Sequence, residues 1–279
     1  MLPESKVLSF LDEKYGFSLR FLEGQRLIHD LAIIHDVKKE GFSFFRELVL
    51  TSMHLISYLK TDEGFGLFID SNDPYFRFKI ESNEHGSMRT LLFPENFNLF
   101  PEKINAQVRL AKINRTNPVP YTSIIEVKDT KPSEIADQIL KDSYQVEGKI
   151  YLSTESDQSF YLTKLPRKNV NKQVDEVSFE EFWNLNGDKI MNVLDQGLTD
   201  SSMIKNKLIE LGFTFLHAKS IEFKCPCSRQ QMLSGVLSLV HSHTLDEIFE
   251  GKKDIETRCD YCKTHYLILR DEIESLIKN

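Results

Sequence analysis

Between Phe44 and Leu59, the apolar residues Phe44, Phe45, Leu48, Val49, Met53, Leu55, Ile56 and Leu59 recur with helical period, which predicts a helix over 43–60 with one buried face. Strand-like runs follow near 65–70, 75–81, 87–93 and 105–114. The turn chemistry of Asp70-Ser-Asn-Asp-Pro74 separates the first two, and Asn83-Glu-His-Gly86 the next two, so these strands pair antiparallel. A further strand near 121–127 leads through Asp129-Thr-Lys-Pro132 into a helix whose apolar stripe is Ile135, Ile139 and Leu140, with Ser133 as its expected cap. Two more strands are expected over 148–153 and 159–165. Helices inserted among antiparallel strands place residues 1–170 in the α+β class.

The stretch Pro166 to Glu176 is polar and nearly free of apolar residues, and is read as a boundary. Beyond it Ser178 and Glu181 form a capping-box pattern at the start of a helix carrying Phe179, Phe182, Trp183, Ile190, Met191 and Leu194. A second helix is expected over about 200–211, with Met203, Ile204, Leu208 and Ile209 apolar. Short helices are marginal in water, so this pair needs a surface to dock on. The last segment is expected to hold a strand near 221–224, a helix near 228–240, a helix start at Thr244 with Glu247, a strand pair, and a terminal helix from Asp271.

Composition narrows the class without identifying the chemistry. Of 279 residues, 41% are hydrophobic and 28% charged, as in ordinary globular chains. No run of about 18 uncharged apolar residues is present, so no transmembrane helix is expected. Met1 to Phe10 places Glu4 and Lys6 among its apolar residues and lacks the apolar block of a signal peptide; an intracellular, soluble protein is expected. The net charge of −7 argues against a polynucleotide partner, which normally needs clustered positive charge.

All four cysteines lie in the last fifth of the chain, as Cys225-Pro226-Cys227, then 31 residues, then Cys259-Asp-Tyr-Cys262. Two close thiol pairs brought together across a folded spacer suit a tetrahedral metal, with zinc the expected ion and an iron–sulfur cluster the alternative. Four cysteines leave no open coordination position, which disfavours catalysis at the metal. The bland reading is a zinc ribbon that only holds a small domain together. Against it, bound thiolates keep their nucleophilicity toward oxidants, so two such pairs also suit a thiol switch.

No phosphate loop, G-x-G-x-x-G, G-x-S-x-G or H-E-x-x-H motif occurs, and no catalytic site is expected. With four cysteines available, His241, His243 and His265 read as surface residues rather than ligands, and His29, His35 and His54 as core or surface histidines.

Phe223-Lys-Cys-Pro-Cys-Ser-Arg229, followed by Cys259-Asp-Tyr-Cys262 and Tyr266, resembles the 33-kDa chaperonin family, the redox-regulated holdase chaperones of the cytoplasm also called 33-kDa heat-shock proteins. Weaker resemblance runs through Glu47 to Lys60, Asp73-Pro74-Tyr-Phe-Arg77, Tyr121-Thr-Ser-Ile-Ile125 and Tyr161 to Pro166. The chain departs from the family pattern in lacking a V-R-G segment near its N-terminus and a glycine-rich approach to the second cysteine pair.

The resemblance implies an N-terminal α+β domain over 1–170 for client binding and dimerisation, a metastable helical linker over 171–220, and a zinc-binding switch domain over 221–279. It implies one zinc ion per chain, held in the reduced state by Cys225, Cys227, Cys259 and Cys262. On oxidation it implies disulfides Cys225–Cys227 and Cys259–Cys262, loss of zinc, homodimerisation, and capture of unfolding client proteins without nucleic-acid or membrane partners. The apolar linker residues Phe179, Phe182, Trp183, Ile190, Met191, Leu194, Met203 and Ile204 are then candidate client contacts. On this reading serine at Phe182 and Trp183 is expected to weaken capture. A constitutive zinc-ribbon module, and a thiol-disulfide oxidoreductase using Cys259 and Cys262, are the rivals.

Overall fold

A computed structural model describes residues 2–114, 117–166 and 177–278. Most of the proposed boundary, 167–176, lies outside the described residues. In chain order the elements are β1 (Lys6–Asp12), β2 (Phe17–Glu23), α1 (Gln25–His35), α2 (Lys39–Ser52), a 3₁₀ segment (Met53–Tyr58), β3 (Glu63–Asp73), β4 (Tyr75–Asn83), β5 (Ser87–Phe93), β6 (Ile104–Asn114) and β7 (Asn117–Thr130). They continue as α3 (Ile135–Asp142), β8 (Gly148–Leu152), β9 (Gln158–Lys164), α4 (Phe179–Asp195), α5 (Ser201–Glu210), β10 (Thr214–Ser220) and β11 (Glu222–Phe223). The last elements are α6 (Arg229–Leu239), α7 (Leu245–Phe249), β12 (Asp254–Arg258), β13 (His265–Leu269) and α8 (Arg270–Lys278). The chain divides into two compact units, Met1–Phe223 and Lys224–Asn279.

In the first unit the strands form two sheets. One has the order β11-β5-β4-β3-β6-β7 and is antiparallel apart from the β11–β5 pair. Its period-two pattern is plain in β6, where Ile104, Ala106, Val108 and Leu110 are buried while Asn105, Gln107 and Arg109 are exposed. The other, β10-β1-β2-β9-β8, is antiparallel throughout. Its inner strands β1, β2 and β9 are buried on both faces. Val7, Leu22 and Tyr161 face the core shared with α1, α2 and the larger sheet. Leu8, Phe10, Phe17, Leu19, Phe21, Phe160 and Leu162 face a second core closed by α4 and α5.

Helix α4 begins at the expected capping box: Glu181 N–H donates to Ser178 Oγ at 3.1 Å, and Ser178 N–H donates to Glu181 Oε2 at 2.7 Å. Asp200 caps α5 through its carboxylate and the Ser202 N–H, at 2.8 Å. Phe182 lies flat on Phe17 at 4.0 Å between centroids, and Trp183 stacks on Tyr151 at 4.1 Å. The segment expected as a linker is thus folded onto the first unit wherever it is described.

Three sequence expectations are corrected. Ser133 does not cap α3: Pro132 opens a 3₁₀ turn that carries Ser133 inside it, and the cap residue is Glu134, with no side-chain hydrogen bond. The strand expected over 221–224 is two residues long and pairs with β5, so it belongs to the first unit rather than to the cysteine segment. Met203 is 48% exposed, because the inward stripe of α5 is Ile204 and Leu208.

Glu23 closes β2 opposite Gln158, whose amide donates to Leu198 O at 2.6 Å in the α4–α5 turn. Burial raises the Glu23 carboxyl to about 7, and its Oε2 has no hydrogen-bond partner. A carboxyl raised in the folded state costs nothing below its unfolded pKa of 4.5, and a growing amount as pH rises to 7. Glu23→Gln is therefore expected to stabilise the protein by about 2–4 kcal/mol at pH 8, with the gain vanishing by about pH 4.5. Urea unfolding at the two pH values reads this directly; an equal effect at both would contradict the assignment.

Candidate metal centre

The second unit has a small core: Leu233, Val236, Phe249, Ile268 and Ile273 are buried, with Met232, Leu237, Ile248 and Ile255 packed partly against them. A unit of this size rarely folds on such a core without a covalent or metal cross-link. The cysteines supply the means for one. Cys225 and Cys227 flank Pro226 immediately before α6, which starts at a capping box between Ser228 and Gln231. Cys259 and Cys262 sit in the six-residue connection of the β12–β13 hairpin, whose last pair is Arg258 with His265. That connection is a tight knuckle: Lys263 N–H donates to Cys259 O at 2.9 Å, Cys259 N–H donates to Thr264 O at 2.9 Å, and Lys263 takes the left-handed conformation at φ 61°.

The four Sγ atoms all lie within 4.8 Å of one another, with 3.7 Å between Cys225 and Cys259 and 3.2 Å between Cys227 and Cys262. A tetrahedral ion with bonds of about 2.3 Å to sulfur spaces its ligands about 3.8 Å apart, so the thiols already fit such an ion. Every donor is a soft thiol, which selects zinc or iron–sulfur over magnesium or calcium. Cys259 is 5% exposed and the others are half-buried.

The thiols are not electrostatically equivalent. Burial pushes Cys225 up to about 12. Burial also acts to raise Cys262, but hydrogen bonds from the hydroxyl and backbone of Thr264, with those from Cys227 and Cys259, outweigh it and hold this thiol at about 6. The Thr264 hydroxyl lies 3.2 Å from Cys262 Sγ, and the Tyr266 hydroxyl 3.1 Å from Cys227 Sγ. That contact with Cys227, together with burial, raises Tyr266 to about 12, so Tyr266 remains a hydrogen-bond donor at neutral pH. Removing the donor with Tyr266→Phe is expected to weaken metal binding by roughly tenfold, the scale of outer-shell contacts. Competition against a chromophoric chelator measures this; unchanged affinity would make Tyr266 a packing residue only.

Arg229, two residues beyond Cys227, ties the start of α6 to the hairpin and to α8. It donates to Leu267 O at 3.1 Å and makes two parallel bonds to Glu272, at 2.9 and 2.5 Å. Sequence reading named Arg229 in the C-x-C-S-R signature but missed Glu272, which is distant in sequence. His241, His243 and His265 are exposed and outside the thiol cluster.

The candidate client contacts lie elsewhere, in the first unit. Phe182, Ile190, Leu194 and Ile204 are fully buried in the core under α4 and α5, while Phe179, Trp183 and Met191 pack partly against it. Sequence reading missed the sheet face they cover. Phe17, Leu19 and Phe21 alternate with Ser18 and Arg20, a period-two signal sufficient to find β2.

The family model for the Hsp33 protein matches residues 5–268. Over 90 residues the chain is 30% identical to the 33 kDa chaperonin of Clostridium beijerinckii, and over 88 residues 27% identical to that of Lachnoclostridium phytofermentans. Each alignment covers 32% of this chain and 30% of the relative, so less than a third of either relative's length is matched. The crystal structure of the 33 kDa chaperonin from Thermotoga maritima superposes with a TM-score of 0.72 at 13% identity, over 99% of this chain and 98% of that one, and shares its fold. With its family match running through both units and the thiol cluster, this chain belongs to the Hsp33 protein family.

Proposed function

We propose that this protein is a redox-regulated holdase chaperone of the cytoplasm, silent when reduced and zinc-loaded and active when its thiols are oxidised. The observation that carries this reading is a closed four-thiol site supporting a unit whose apolar core has, among the described residues, five buried side chains. Cys225, Cys227, Cys259 and Cys262 hold one zinc ion, which ties α6 to the β12–β13 hairpin. An oxidant such as hypochlorite takes two electrons from each thiol pair and is itself reduced to chloride. The pairs become Cys225–Cys227 and Cys259–Cys262 disulfides, and the donor set for the metal is gone.

Zinc binding contributes on the order of 10 kcal/mol to small metal domains, so its loss unfolds the second unit. One residue, Lys224, separates Cys225 from β11, whose ladder with β5 is two residues long. Unfolding then frees that short strand and, behind it, the edge strand β10 and helices α5 and α4. Lifting the helices bares their own Phe179, Phe182, Trp183, Ile190, Met191, Leu194 and Ile204, and the sheet residues Phe10, Phe17, Phe21 and Phe160 beneath. Each large apolar side chain brought out of water is worth roughly 1.5–3 kcal/mol to an unfolding client that re-covers it. Two activated chains associate as a homodimer.

Zinc content and disulfide mapping before and after hypochlorite test the switch. One zinc per reduced chain, none per oxidised chain, and disulfides within each motif support it. Zinc and free thiols both retained under a hypochlorite dose sufficient to oxidise four thiols would return the site to a purely structural ribbon.

A further inference from the structure

On the face of the five-stranded sheet away from α4 and α5, three strands set a row of polar side chains side by side. Ser9 of β1 lies opposite Arg20 of β2 on one side and His217 of β10 on the other, and Val7 lies opposite Lys219. Ser18 is two residues from Arg20 along β2 and shares its face. Together with Ser57 of the 3₁₀ segment these side chains line a cavity of about 270 Å³.

The cavity offers donors and cations without a compensating acid. Arg20 is flanked by the rings of Tyr58 and Tyr161, 5.4 and 5.8 Å from its guanidinium carbon, and its Nη1 is buried with no hydrogen-bond partner. Among the described residues, neither Arg20 nor Lys219 forms an ion pair, and the hydroxyls of Ser9, Ser18 and Ser57 make no hydrogen bond. Burial lowers the Lys219 ammonium, and Glu84 acts on it through space without pairing. In a chain of net charge −7, such an uncompensated positive cavity is unusual, and a guanidinium, an ammonium and three hydroxyls suit an oxyanion with several acceptor oxygens.

We propose that this cavity binds a phosphate group, held by Arg20 and Lys219 with hydrogen bonds from Ser9, Ser18 and Ser57 and a further contact from His217. Val7, Ile56, Leu59 and Leu216 complete the lining, but a volume of about 270 Å³ leaves little room for a large organic moiety, so inorganic phosphate is the expected ligand and a phosphomonoester the alternative source. A consequence rests on the chaperone reading above. Two of the groups stand on β10, the edge strand, and the others on β1, β2 and the 3₁₀ segment. Bound phosphate would fasten β10 down and oppose its release after oxidation.

Calorimetry on the reduced, zinc-loaded full chain tests the site, with phosphate or glycerol 3-phosphate titrated at ionic strength held constant with sodium chloride. Saturable one-to-one binding is expected with Kd below about 1 mM, at least tenfold weaker in Arg20→Gln and in Lys219→Gln. Lys219 is on the sheet edge, so its variant keeps the test sound even if Arg20→Gln disturbs the fold. Tighter binding of glycerol 3-phosphate would assign the site to a phosphoester, and still support it. No saturable heat, or wild-type binding by Lys219→Gln, would overturn it. Because the reduced protein is measured, failure here leaves the chaperone reading standing. Client capture by the oxidised protein in phosphate and in chloride then tests the consequence separately.

Discussion

Serine at Cys259 or Cys262 is expected to unfold Lys224–Asn279 while leaving the first unit folded. The hairpin β12–β13 has five residue pairs and a thin apolar backing, and an isolated two-stranded ladder is at best marginal in water. Losing one of four thiolates forfeits most of a metal contribution on the order of 10 kcal/mol, more than the rest of this unit can offset. Arg229 with Glu272 does not replace it, since an exposed ion pair is screened by solvent. Amide hydrogen exchange checks this. The amides of Ile255, Thr257 and Ile268 should lose protection in the variant, and those of Phe21, Ile80 and Val108 should keep it. Protected hairpin amides in the serine variant would show that the unit is held by its packing and that the metal is incidental to its fold.

The second large effect concerns Phe182→Ala. Phe182 is fully buried, stacked on Phe17 and edge-on to Tyr15 and Phe213, so truncation leaves a cavity at the centre of the helix–sheet contact. Phe-to-Ala changes in such positions cost about 3–5 kcal/mol. The loss falls on the docking of α4, and the reduced protein should capture client without any oxidant. The sequence-based expectation, that serine at Phe182 and Trp183 weakens capture, concerns the helix as a client surface; under the proposed function the sheet face beneath α4 would be bared as well. Trp183, the only tryptophan, stacks on Tyr151 and reports undocking by a red-shifted emission. Emission unchanged, with the reduced variant still silent, would remove α4 from the switch.

How much of this was legible beforehand depended on whether a signal was local. The spacing of Cys225, Cys227, Cys259 and Cys262 pointed to one tetrahedral site, and the Sγ atoms do converge. Ser178 with Glu181 and Thr244 with Glu247 marked helix starts, because a capping box lies within one turn. The alternation over β4 and β6 was equally readable. By contrast, Val7-Leu8-Ser9-Phe10 is buried from both sides and loses its alternation, so β1 gave no period-two signal. Strand β10 was missed for the opposite reason, being an edge strand with mostly exposed side chains. Pairings such as Arg229 with Glu272, or Ser9 with Arg20 and His217, come from register and packing that spacing along the chain does not encode.

Light scattering from a thermally unfolding client tests the central claim most directly, with the protein added either reduced and zinc-loaded or oxidised by hypochlorite. The account predicts that only the oxidised form suppresses aggregation, and that thiol reductant with zinc reverses the effect. Equal suppression by both forms, or by neither, would contradict it.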